Sequence, residues 1–174
     1  KSLIADHQIQ CYLRPGVAWV AENQADVEDL HRYADYMRQH YTYDIEVPSN
    51  ADFATICPSP RYKGGIIDWD AGHLHPLRFV LGLASAAEAA GAVIHERSTV
   101  VGISQGPRTT LRTDGGTVVA DHVIYACNGY LGALERKAAA RVMPINNFIA
   151  ATVPLGANAT KVLTRDIAVS DSRF

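Results

Sequence analysis

Ala120-Asp121-His122-Val123-Ile124-Tyr125-Ala126-Cys127-Asn128-Gly129-Tyr130-Leu131-Gly132 is the stretch on which the reading of the fold turns. Its first half, residues 122–126, is a short apolar run with β-branched and aromatic side chains, which suits a buried strand. Cys127-Asn128-Gly129 then stops that strand in a turn of small residues. A strand that runs into glycine lets a phosphate or a sugar approach the backbone, because glycine has no Cβ in the way. The same pattern equally describes an ordinary strand-to-helix turn with Gly129 at a tight bend.

Just upstream, residues 109–113 and 117–120 flank Asp114-Gly115-Gly116, a hairpin signal that depends on glycine. Residues 99–104 add a third strand across Gly106-Pro107, so a three-stranded meander is expected. Val93-Ile94-His95 reads as a further strand, sharing a sheet with residues 122–126 from which the meander hangs. Before it lies an Ala-rich helix over residues 77–90, with Pro76 at its first position and Gly91 suited to a left-handed cap. Its five alanines, at 84, 86, 87, 89 and 90, leave so little side chain that it can lie close against a sheet.

Gly16-Val17-Ala18-Trp19-Val20-Ala21 reads as a strand buried on both faces. Asn23 is a natural N-cap for the helix that follows, with Asp26 at the positive end of its dipole. Val27, Leu30, Ala34, Met37 and Tyr41 recur at spacings of three and four, the stripe of a helix packed on a core. Residues 46–63 carry Pro48, Pro58 and Pro60 without a period and read as an irregular connection. Gly64-Gly65-Ile66-Ile67-Asp68-Trp69-Asp70 is strand-like.

The 174 residues can bury roughly 70% of the unfolded chain's surface. With 48% hydrophobic and 20% charged residues, the composition excludes disorder and a membrane-embedded chain. Sixteen Lys plus Arg against eighteen Asp plus Glu, with no basic run, point away from nucleic acid and toward a small-molecule partner. Cys11, Cys57 and Cys127 lie far apart without CxxC spacing, so reduced thiols in a cytoplasmic protein are expected. No run reaches a membrane span, and Lys1-Ser2-Leu3-Ile4 has neither an initiator Met nor a signal pattern, so the chain reads as an excerpt of a longer parent.

His73-x-His75 has the spacing of two metal ligands on a strand, but no further His, Asp or Glu cluster joins it, so no metal is expected. The alternative is that His75 caps the helix at Pro76 while His73 lines a surface or pocket. Cys127, at the end of an apolar strand, reads as a small buried residue rather than a nucleophile. Glu88 and Asp121 read as solvated or turn residues. The sequence has no GxGxxG, phosphate loop or nucleophile elbow.

Several blocks in order carry a resemblance: Ala71-Gly72-His73-Leu74-His75-Pro76-Leu77, the Ala-rich helix to Gly91-Ala92, Val100-Val101-Gly102-Ile103, and Thr113-Asp114-Gly115-Gly116 through Tyr130-Leu131-Gly132. Met143-Pro144 and the earlier Tyr12-x-Arg14-Pro15-Gly16 agree with it. Together they resemble the FAD-dependent amine oxidoreductases of the D-amino acid oxidase superfamily. The resemblance implies an α/β (mixed α+β) chain, the central part of a two-lobed flavoprotein. A partial Rossmann-like FAD lobe with the meander would span residues 68–140. Residues 1–67 and 141–174 would belong to a sheet-and-helix substrate lobe.

By the same resemblance the cofactor is FAD, with the Val100 backbone meeting the adenine and Ala126, Cys127, Asn128 and Gly129 lying against the dinucleotide. His73 and Tyr130 would neighbour the substrate. The implied reaction takes a hydride from the C–N bond of an amine such as gamma-glutamylputrescine and leaves an imine for water to hydrolyse. The flavin does the hard step, so no catalytic side chain is assigned. A D-amino acid dehydrogenase, a glycine or sarcosine oxidase, and a non-catalytic nucleotide- or protein-binding domain are the alternatives. The dinucleotide fingerprint and the flavin-facing strands are not in these residues, so the chain by itself is expected to be catalytically incomplete.

Overall fold

The computed structural model of the chain describes residues 1–171. Its elements run α1 (Ser2–Asp6), β1 (Arg14–Ala21), α2 (Gln24–Tyr41), α3 (Asn50–Ile56), β2 (Gly64–His73) and α4 (Pro76–Ala89). They continue with β3 (Val100–Ser104), β4 (Thr109–Thr113), β5 (Thr117–Ala120), α5 (Arg136–Ala139) and β6 (Ala168–Ser170). The mixed α/β class expected from the sequence is present. Two compact units form: residues 1–92 with the described residues from 152 onward, and residues 93–151.

The first unit is built on a sheet of order β2-β1-β6, in which β1 runs antiparallel to β2 and parallel to β6. Alternation along the strands sends Ala18, Val20 and Ile67 to one face and Trp19 and Ile66 to the other. On the first face Phe53, Ile56 and Cys57 join those residues and Ile167 in one core. On the second, Ala34 of α2 packs with Ile45 and Ile66. Trp19, expected inside a strand buried on both faces, stays 45% exposed. The ring of Tyr33 stacks on it with centroids 5.8 Å apart.

α2 starts as its sequence dictates, with the Asn23 side chain accepting from the Asp26 N–H at 2.9 Å and Val27 and Ala34 buried. Residues 46–63 are not wholly irregular, because α3 lies within them. Its seven residues are too few to show a period. The Ser49 hydroxyl oxygen accepts from the Asp52 N–H at 3.1 Å, and Phe53, 1% exposed, drives into the core. Between Pro15 and Val17 the register with β2 shifts, and Gly16 takes φ +98°. A Cβ there would stand 2.6 Å from Ile167 Cγ2, so only glycine both adopts the backbone and admits the buried isoleucine that leads into β6.

α4 has Pro76 in its first turn and ends with Gly91 at φ +93°, where the Ala92 N–H donates to the Ala87 carbonyl at 3.0 Å. The alanines would let this helix lie close against a sheet, yet it stays at the surface of its unit. None of its residues is buried, and Leu77, Val80 and Leu81 are exposed. The helix sets Gly82 against Ile9.

The second unit contains the meander β3-β4-β5, antiparallel throughout. The Thr113 N–H donates to the Gly116 carbonyl at 2.8 Å to close the glycine turn, and Arg108 pairs with Asp121 at 2.7 Å across the hairpin's open end. Residues 93–95 and 122–126, expected as strands, are irregular. A strand exists only by its ladder, and among the described residues neither run has a paired neighbour; Ile124 is 89% exposed.

Candidate functional site

In the second unit a cavity of about 300 Å³ lies between the meander and the segment that follows it. Val100, Ile103 and Leu111 line it from the strands, and Tyr125, Cys127 and Tyr130 from the segment. Three residues named from the sequence, Val100, Cys127 and Tyr130, thus converge. Ala126 does not line the cavity. Asn128, Gly129 and Tyr130 also border a wider hollow of about 700 Å³ with Met143, Pro144 and Phe148.

The turn works differently from its sequence reading. The left-handed residue is Asn128, at φ 48°, in a single 3-10 turn over Asn128–Tyr130 where the Tyr130 N–H donates to the Cys127 carbonyl at 3.0 Å. Asparagine tolerates that conformation through its short polar side chain. Gly129 has no positive φ, and a Cβ on it would meet Pro144 Cβ at an ordinary 3.7 Å. Cys127 is exposed rather than buried, because the strand it was expected to end has no ladder.

β3 is the outer strand of its sheet among the described residues, so half of its backbone N–H and C=O groups face away from β4. The register shift between Val100 and Gly102 turns the backbone locally at that edge. An edge backbone beside an apolar cavity offers what a purine needs, hydrogen-bonding groups for its polar rim and aliphatic contacts for its faces.

His73 belongs to the first unit, at the end of β2, opposite Arg14 in the ladder. Its Nε2 is buried without a hydrogen-bond partner and stands 3.8 Å from Asp166 Oδ1. The other oxygen of Asp166 is 3.3 Å from Arg14 Nε. Next to this trio, Glu46 accepts from Trp69 Nε1 at 2.5 Å and pairs with Arg165 at 3.5 Å. Arg14 was visible in the sequence only as part of Tyr12-x-Arg14-Pro15-Gly16, and Asp166 carried no local signal at all. His75 Nδ1 accepts from the Arg78 N–H at 3.4 Å and so serves as the cap of α4. Among the described residues no three His, Cys, Asp or Glu side chains gather as metal ligands.

Tyr43 donates its hydroxyl to both carboxylate oxygens of Asp68, at 2.7 and 2.9 Å. That hydrogen bond, helped by burial and by the charges of Asp68 and Asp70, pushes the phenol up to about 12. Asp68 also accepts from the Asp70 and Ala71 N–H groups, each at 2.9 Å, and so shapes the second half of β2.

Residues 1–173 match the family model described as DAO, FAD dependent oxidoreductase. The chain belongs to this DAO family. Probable oxidoreductase OrdL of Rhizobium meliloti (strain 1021) is 34% identical over 171 residues, 97% of this chain and 40% of that protein. Gamma-glutamylputrescine oxidoreductase of Escherichia coli (strain K12) is 30% identical over 173 residues, 98% of this chain and 41% of that protein. The chain therefore spans about two fifths of the length of these DAO-family relatives. Among solved structures, glycine oxidase from Geobacillus kaustophilus superposes with a TM-score of 0.67 at 22% identity, covering 79% of this chain and 38% of that one. That likeness establishes the DAO fold.

The DAO family is FAD dependent, and the residues present fit one end of that cofactor. The free edge of β3 and the apolar cavity at Val100, Cys127 and Tyr130 suit the adenosine portion. No helix among the described residues is long and apolar enough to cross a membrane.

Proposed function

We propose that the chain is the central part of a longer FAD-dependent oxidoreductase that oxidises the C–N bond of an amine, with gamma-glutamylputrescine as its substrate. The observation that carries the reading is the convergence of Val100, Cys127 and Tyr130 on one apolar cavity beside a free strand edge. These include residues that a dinucleotide would need, in a chain of an FAD-dependent family. The substrate is suggested by the 30% identity to gamma-glutamylputrescine oxidoreductase along 98% of the chain.

When bound, FAD supplies the hydride acceptor. In this reading the Val100 backbone hydrogen-bonds the adenine, and Ala126, Cys127, Asn128 and Gly129 wall the dinucleotide. His73 borders the substrate. Residues 68–140 serve the flavin lobe, and residues 1–67 and 141–174 the substrate lobe. Three free cysteines suit a protein of the reducing cytoplasm, where an amine catabolic enzyme would work.

The test is the visible spectrum of the full-length protein, recorded without oxygen before and after gamma-glutamylputrescine is added, with D-alanine and sarcosine as comparisons. The flavin band is expected to bleach with gamma-glutamylputrescine. Bleaching by D-alanine or sarcosine alone would move the substrate, and a protein without a flavin band would end the proposal.

A further inference from the structure

We infer that Arg14, His73 and Asp166 form a receptor for an α-amino acid head group, the ammonium and carboxylate borne on one carbon at the end of the substrate remote from the oxidised amine. The inference rests on the amine-oxidising reading above and adds the chemistry of the substrate's far end. The three side chains come from three separate segments: the start of β1, the end of β2 and the lead into β6.

Each side chain has unused capacity. Arg14 engages Asp166 through Nε, and among the described residues neither of its terminal amino groups has a partner, so the guanidinium fork is open to a carboxylate. The buried Nε2 of His73 lacks a hydrogen-bond partner, since 3.8 Å to Asp166 is too long for one. That nitrogen is covered by the protein, so His73 backs the pair from inside while the carboxylate is taken by Arg14. Asp166, with its side chain 72% exposed, keeps lone pairs for an ammonium.

One cation beside one anion matches a zwitterion, and binding buries no net charge from that pair. The neighbouring cation does not compete: Arg165 is held by Glu46 and lies over the Trp69 ring at 5.9 Å. The backbone beneath the trio is closely packed. Ile167, next to Asp166, is 5% exposed and sits in the space that Gly16 leaves open two residues after Arg14. Such preorganisation lowers the entropy lost on binding.

The test uses the full-length protein and two probes. Gamma-glutamylmethylamide carries the head group but lacks the aminobutyl arm, and N-butanoylputrescine carries the arm without the head group. By calorimetry, Arg14→Met is expected to weaken gamma-glutamylmethylamide about 30-fold, as loss of a charged hydrogen bond implies, and Arg14→Lys to fall between. Turnover of N-butanoylputrescine should keep its KM within about twofold in both variants. Unchanged far-UV circular dichroism checks folding, and Arg14→Lys preserves the charge should Arg14→Met unfold. Equal affinity of wild type and both variants for gamma-glutamylmethylamide, or no binding to the wild type, overturns the receptor. Arg14-dependent binding in a protein whose flavin gamma-glutamylputrescine does not bleach would uphold the receptor and sink the amine-oxidising reading.

Discussion

Tyr43 gives a single side chain a measurable signature. Its phenol titrates near 12 rather than at 10.0, because the neutral hydroxyl donates to Asp68 and ionisation would place a second negative charge there. The folded-state value lies above the unfolded one, so this contribution to stability is complete below pH 10 and is lost as the pH rises from about 10 to about 12. Absorbance at the tyrosinate band should show a late-titrating component near pH 12 that is lost in Tyr43→Phe. The same variant should lose about 1 kcal/mol of stability at neutral pH, read by urea unfolding. Gly129 tests the candidate site at the same scale. A Cβ there meets nothing closer than Pro144 at 3.7 Å, so Gly129→Val should fold. If the turn lies against the cofactor, the full-length variant should retain flavin about tenfold less tightly, and unchanged retention would remove the turn from the site. Local chemistry made Asn23 and Gly91 legible as caps. It misplaced the strained position of the turn, because asparagine at 128 carries the left-handed backbone and leaves the glycine beside it unstrained.

At the scale of elements, α2 and α4 were readable because their caps and spacing are local properties of consecutive residues. α3 was not, since its seven residues carry no period and it is held by the burial of Phe53 and Ile56. Phe53→Ala should accordingly cost about 3–5 kcal/mol and lower the unfolding midpoint more than any surface change on the same helix, as denaturant titration would show. α4 makes its close contact through Gly82 and Ile9. Gly82→Val should force them apart and cost about 1–3 kcal/mol, and the paired change Ile9→Ala should recover part of it. The meander was legible down to its turn, because Asp114-Gly115-Gly116 between alternating strands leaves few alternatives. Residues 93–95 and 122–126 had the composition of strands without the ladder that makes one.

For the whole molecule, the absence of a GxGxxG run and the span of two fifths of its DAO-family relatives predict that residues 1–174 alone hold FAD far less tightly than the full-length protein. Ultrafiltration of each with FAD, followed by absorbance of the retained fraction, measures the difference. Stoichiometric retention by the short chain would favour a self-sufficient nucleotide-binding module instead. By itself the sequence determined the mixed α/β class, the capped helices, the hairpin and, through ordered blocks, the family. Each of these is written in neighbouring residues or in motifs that persist along the chain. Only the tertiary structure decided that β6 pairs in parallel with β1, and thereby that Asp166 arrives beside Arg14 and His73. It likewise brought Val100 to Cys127 and Tyr130. The physical reason is that packing and pairing between distant segments depend on the summed burial of the whole unit, which leaves no periodicity at the positions that finally meet.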